Sequence, residues 1–123
     1  MFDPVDFLNF AKGLNAVDEK TARIGIGRAY YAAHLCAREK VRSHFPRMFP
    51  PFRGGKGEHE RVRKRIGKNL KRADIAQNLL DLARKRVRAD YDLRNYKSSN
   101  QFVGELNNAI TLSDVILNLL NSL

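Results

Sequence analysis

The sequence predicts an all-α protein, an up-and-down bundle of four to five helices with one long Pro/Gly-rich loop. Three observations carry that reading. Apolar residues recur at helical steps in each long segment, and no segment alternates apolar and polar residues as a half-buried strand does. Pro46, Pro50 and Pro51, followed by Gly54, Gly55 and Gly57, fall together between two helical stretches. At 123 residues the chain is one domain, residues 1–123, able to bury about two-thirds of its unfolded surface without help from a metal or disulfide.

The elements follow in order. Asp3 can cap a first helix with Pro4 in its first turn, and Phe7, Leu8 and Ala11 form its apolar side before Gly13 ends it. A second helix runs from about Asp18 to Ser43, with Ile26, Tyr30, Ala33, Ala37 and Val41 on one stripe. Gly25 and Gly27 lie inside it, each costing about 1 kcal/mol relative to alanine, so they either permit a tight helix crossing or mark a later start. A short basic helix follows the loop, from Glu58 to Gly67. The fourth helix, from Lys71 to Tyr96, carries Ala76, Leu79, Leu80, Ala83 and Val87 as its apolar face. Ser98 and Gln101 offer a capping box for a fifth, striped by Phe102, Leu106, Ala109, Ser113, Ile116 and Leu120.

Polar residues intrude on two of these faces. Asp90 and Tyr91 fall where the stripe of the fourth helix should continue, and a buried carboxylate needs a cation or a function. Arg86 stands four residues before Asp90 and Arg88 four before Asp92, so an internal ion pair is the structural explanation. In the second helix, Arg28, Tyr30, Tyr31 and His34 lie within two turns, with Tyr30 and His34 on one face and Arg28 and Tyr31 on another. Ordinary packing of tyrosine rings accounts for that cluster taken alone.

Charge narrows the partners. The chain carries 23 basic and 13 acidic side chains, a net charge of +10, and such an excess attracts polyanions. It is concentrated in Arg61, Arg63, Lys64, Arg65, Lys68, Lys71 and Arg72, with Arg84, Lys85, Arg86 and Arg88 following. A run of this kind either neutralises nucleic-acid phosphates or is a solvated face. The basic helix has no bulky apolar side for a membrane surface, and no window reaches the roughly 18 apolar residues of a membrane span.

Other chemistries lack their residues. Gly54-Gly55-Lys56-Gly57 has neither the Lys-Ser/Thr ending nor the preceding strand of a phosphate loop. His34, His44 and His59 are scattered, with no carboxylate or thiol at ligand spacing, so no metal and no cofactor is expected. Cys36 is the lone cysteine and reads as a small core residue. The start of the sequence shows no basic leader or long apolar run, which leads to the expectation of a cytoplasmic protein.

Arg28-Ala-Tyr30-Tyr31-Ala-Ala-His34 together with Arg88-Ala-Asp90-Tyr91-Asp92 resembles the HEPN superfamily of small helical proteins, in order and separation, over roughly residues 3–122. The match is to its short stand-alone bacterial and archaeal members. The resemblance implies an RNA- or nucleotide-binding protein, the toxin-like half of a toxin–antitoxin-type pair with a minimal nucleotidyltransferase, and a homodimer. Two alternatives accompany it: a metal-independent ribonuclease acting on single-stranded RNA, or a docking module for the nucleotidyltransferase. The candidate catalytic residues it implies are Arg86 or Arg88, with Asp90 and Tyr91. Arg28, Tyr31 and His34 form the candidate anion pocket, and Arg61, Arg63, Lys64, Arg65 and Lys68 the nucleic-acid surface.

The chain departs from the family at one point. Ribonucleases of that family follow the arginine with a histidine after four to six residues, and the corresponding positions here are Tyr91, Asp92, Leu93 and Arg94. A phenol is a poor general base at neutral pH beside an imidazole. Arg28 with His34, Arg38 with His44, and Arg53 with His59 match the spacing elsewhere in the chain, and His34 facing Arg88 and Tyr91 across the bundle is one way to restore an imidazole.

Overall fold

The computed structural model describes residues 2–14, 18–47, 57–94 and 99–123. Five helices occupy them, α1 (Val5–Gly13), α2 (Glu19–His44), α3 (Glu58–Lys68), α4 (Ala73–Tyr91) and α5 (Ser99–Asn121), with no strand among the described residues. The long loop and the capping box expected at Ser98 fall largely outside the described residues.

Local chemistry starts the helices where the sequence places them. The Asp3 carboxylate accepts from the Val5 amide at 3.0 Å, and Asp18 accepts from the Thr21 amide at 2.7 Å, satisfying donors that the first turn leaves open. Gly57 precedes α3 at φ 89°, a left-handed conformation that glycine adopts without a Cβ clash.

The end of α4 differs from expectation. The helix stops at Tyr91, five residues early, because Arg23 of α2 reaches across to its last turn. The Arg23 guanidinium donates to the carbonyls of Arg88 at 3.1 Å, Ala89 at 2.8 Å and Asp92 at 2.8 Å. A cation there satisfies orphan acceptors and complements the negative end of the helix dipole.

Helix α2 is the axis of the bundle. It packs against all four other helices, and α1, α5, α4 and α3 follow one another around it, each touching the next. Helices α1 and α3 do not touch, so α2 has one side that no other described helix closes. Its alanines, Ala22, Ala29, Ala32, Ala33 and Ala37, are all buried and let neighbours approach closely. The predicted stripe of α5 is buried throughout, and Ser113 within it donates to the Ala29 carbonyl at 2.8 Å.

The register of α4 is a correction. Its buried residues are Ile75, Leu79, Leu82 and Ala89, so of the expected stripe Leu79 is buried while the rest of the inward face is turned by about one position. Val87 is exposed, Asp90 lies at the edge, and Tyr91 is 73% exposed. The polar residue on the inner stripe is Arg86, whose aliphatic stem packs inward while its head finds polar company.

Glycine placement gives a stability test. A Cβ on Gly25 would lie 2.7 Å from Leu106 Cδ1 and 2.9 Å from Leu14 Cδ1, whereas one on Gly27 meets nothing nearer than Asp90 Oδ1 at 3.9 Å. Gly27→Ala should therefore gain about 0.5–1 kcal/mol from helix propensity. Gly25→Ala should lose that gain to overpacking, which typically costs about 1–3 kcal/mol. Urea unfolding is expected to rank the pair with Gly27→Ala the more stable by at least about 1 kcal/mol.

Candidate active site

Helices α2, α3 and α4 bring their polar residues together at one place. From α2 come Tyr30, Tyr31, His34 and Arg38; from α3, Glu58, His59 and Arg63; from α4, Arg86 and Asp90. Helix α3 is held there by Glu58, 6% exposed, whose Oε1 accepts from Arg38 at 3.1 Å and lies 3.7 Å from His34 Nε2. That clamp sets the next residue, His59, against α2.

The His59 ring stacks on His34 with centroids 4.0 Å apart and planes at 11°, and its Nδ1 shares a hydrogen bond with the Tyr30 hydroxyl. Tyr31 stands edge-on to His59 at 6.0 Å and to Tyr30 at 5.3 Å. Arg86 lies over both phenols, 5.4 Å from the Tyr30 centroid and 5.9 Å from that of Tyr31, and pairs with Asp90 at 3.2 Å. Its Nε is buried and donates to nothing among the described residues.

Protonation follows from burial and from the surrounding cations. Burial first, then the neighbouring His59 and the guanidiniums of Arg38, Arg63 and Arg86, push His34 down to about 3. Glu58 by itself would favour a charged His34, but Arg38 already neutralises that carboxylate. His59 is also lowered, by burial and then by Arg86, with Glu58 opposing. Tyr30 is raised to about 12 by burial, against the pull of Arg63 and Arg86. At neutral pH the site thus holds two uncharged imidazoles and an intact phenol among three guanidiniums. Because a hydroxyl both donates and accepts, Tyr30 holds His59 in either tautomer.

The expected site residues divide. Arg86 and Asp90 are in the cluster. Arg88 points away, half exposed and 3.7 Å from Glu105, and Tyr91 projects outward. Of the anion pocket, Arg28 lies 5.7 Å from the Tyr31 ring and Tyr31 joins the cluster, while His34 is 3% exposed and serves as a wall behind His59. On α3, Arg61, Lys64 and Lys68 share the solvent face, Arg65 bonds Asn69 at 3.4 Å, and Arg63 turns toward Tyr30. Arg63 also lines an open groove of about 780 Å³ with Leu80, Val87 and Arg88.

The imidazole beside Arg86 is His59, which the spacing pattern paired with Arg53 and not with Arg86, and which belongs to a different helix. His34 faces His59 and Tyr30, not Arg88 and Tyr91. One signal was available: His59, Val62 and Ile66 continue a helical stripe whose last two members are fully buried. Among the described residues, no group of three metal-ligating side chains occurs. Cys36 is raised to about 11 by burial, which keeps the thiol protonated. No helix of the described residues is long and apolar enough to cross a membrane. No family model, curated protein or solved structure matches the chain.

The lowered imidazoles make folding pH-dependent. The unfolded chain binds their protons near 6.5 and folded His34 only near 3, so unfolding takes up protons as pH falls. Stability is full above about 6.5 and drains between about 6.5 and about 3, at up to about 1.4 kcal/mol per pH unit for a buried histidine. His34→Gln should flatten that slope in urea titrations. An unchanged slope would show that His34 does not contribute to acid stability.

Proposed function

We propose that this chain is an RNA-binding protein of the HEPN type that cleaves single-stranded RNA without a metal ion, with His59 moving the proton and Arg86 holding the phosphate. One observation carries catalysis over binding alone: an uncharged imidazole, fixed by a tyrosine hydroxyl, lies beside a partly buried guanidinium. The net charge of +10 and the cations of α3 support a polyanionic substrate. The family resemblance supports the same reading, with the imidazole drawn from α3 and not from α4.

The chemistry is transfer of phosphate within the RNA. The 2′-oxygen attacks the adjacent phosphorus, the bond from phosphorus to the 5′-oxygen breaks, and a cyclic phosphate and a 5′-hydroxyl result. Neutral His59 takes the 2′-hydroxyl proton, and the imidazolium so formed can return it to the leaving 5′-oxygen. Arg86 and Arg63 stabilise the charge that builds on the phosphoryl oxygens, in a place where partial burial strengthens each interaction. Tyr30 keeps its proton at working pH and acts by holding the ring.

Cleavage of a fluorescent single-stranded RNA by EDTA-treated protein tests this reading. Arg86→Ala and His59→Ala should each lose at least about a hundredfold in rate. Tyr91→Phe and Arg88→Ala, being outside the cluster, should stay within a few-fold of wild type. Replacing Arg61, Lys64 and Lys68 with Gln should weaken binding and flatten its salt dependence by up to about 0.7 log unit per lost contact. If wild-type protein binds the RNA and leaves it intact, the chain is a binding module and His59 is a structural residue.

Assembly belongs to the same proposal. Val87, Tyr91 and Leu93 are exposed along the end of α4, and the apolar floor of the groove beside them is of the kind that a second copy covers in a twofold homodimer. Light scattering at micromolar concentration is expected to give the mass of two chains. A minimal nucleotidyltransferase as the antitoxin-like partner is proposed on the resemblance alone, and co-purification from cells expressing both proteins tests it.

A further inference from the structure

An open hollow of about 310 Å³ lies on α1, on the side of α2 that the bundle does not close, lined by Phe2, Asp6, Phe7, Phe10 and Arg28. Phe2 and Phe10 are 56% and 53% exposed and, with Phe7, put three large apolar rings around one hollow. The hollow is linked to the candidate active site. The Arg28 guanidinium lies 5.2 Å from the Phe7 ring and 5.7 Å from the Tyr31 ring, and Tyr31 in turn lies 5.9 Å from the Arg86 guanidinium. Each step falls within the roughly 4.5–7 Å over which flat groups attract one another. A ladder of alternating rings and guanidinium planes thus crosses α2 from α1 to α4.

We propose that this hollow is a base-stacking subsite for a nucleotide of the single-stranded RNA whose phosphate sits at Arg86, an inference that rests on the function proposed above. Aromatic faces bind unstacked bases regardless of sequence, and arginine planes do the same. Arg28 makes no hydrogen bond or ion pair among the described residues, so its donors are free for a base edge or the flanking phosphate. Asp6 in the wall repels phosphate, which makes a base and not a phosphate the occupant of the hollow. Its carboxylate accepts hydrogen bonds only, so it favours a base with an exocyclic amino group, cytosine, adenine or guanine, over uracil.

The experiment measures fluorescence anisotropy with non-cleavable 2′-O-methyl oligonucleotides, some carrying one abasic residue at successive positions. Phe10→Ala removes an exposed ring that takes no part in the core. It should weaken binding about fivefold to a hundredfold, the range for one stacked base. An abasic residue at one position should cost wild type a similar factor and cost Phe10→Ala almost nothing further. Arg28→Gln should weaken binding at the same position, and Asp6→Asn should remove the preference for amino-bearing bases over uracil. If Phe10→Ala and Arg28→Gln bind every oligonucleotide as wild type does while Arg86→Ala is weakened, the subsite is refuted and the RNA reading stands. If wild type binds no RNA, both fall.

Discussion

The carboxylate of Glu58 is the contact on which the site depends. It is buried at the first turn of α3, between the Arg38 guanidinium and His34 of α2. Removing one partner from a buried pair is strongly destabilising, about 3–5 kcal/mol in well-buried cases, because the remaining charge has no solvent to turn to. Here the penalty would fall on the join between α2 and α3. Direct packing between those helices is otherwise modest: Val62 and Ile66 supply the apolar part of α3, and its remaining face is almost wholly cationic. Val62 and Ile66 set which face of α3 turns inward, and the clamp holds its first turn, with His59, against Tyr30.

The alanine content of α2 makes this possible. A helix that touches four others cannot carry large side chains on every face. Ala22, Ala29, Ala32, Ala33 and Ala37 keep the neighbours near, and Gly25 sits where a Cβ would collide with Leu106. Where the ring of helices is incomplete, α2 carries Arg28 and Tyr31. The crowded faces give the fold and the open face gives the chemistry, so the position of the site follows from the packing.

Much of the fold was legible because α2 and α5 repeat apolar residues without competition: the stripe from Phe102 to Leu120 is buried at every member. Helix α4 was misread by one position. Two stripes that share Leu79 compete there, the expected one through Ala76, Leu79, Leu80, Ala83 and Val87, the other through Ile75, Leu79, Leu82 and Arg86, and a pattern that counts apolar residues ranks the first higher. Packing ranked the second higher, because arginine can bury its stem and keep its head among phenols and a carboxylate. The stop at Tyr91 was illegible for a related reason. Its cause is Arg23, 65 residues before the first carbonyl it binds, and no local pattern carries a contact of that range. His59 escaped because the resemblance directs attention to α4, whereas proximity in the bundle is free to supply the imidazole from any helix.

Charge in the cluster is unbalanced, and that imbalance has a consequence for ligands. Arg38, Arg63 and Arg86 surround two histidines, with only Glu58 and Asp90 to oppose them, and Glu58 is already committed to Arg38. The excess positive potential is one of the reasons both imidazoles are lowered, so anything that neutralises it must raise them. A phosphate at Arg86 is such an agent. It removes the largest charge acting on His59 after burial, makes the ring more basic, and so favours proton uptake on the group that needs it. By linkage the converse holds: protonated His59 binds an anion more tightly than the neutral ring does. An empty site therefore keeps its imidazole uncharged, and an occupied one readies it to accept a proton. The same guanidinium that depresses His59 in the free protein ceases to do so when its phosphate arrives.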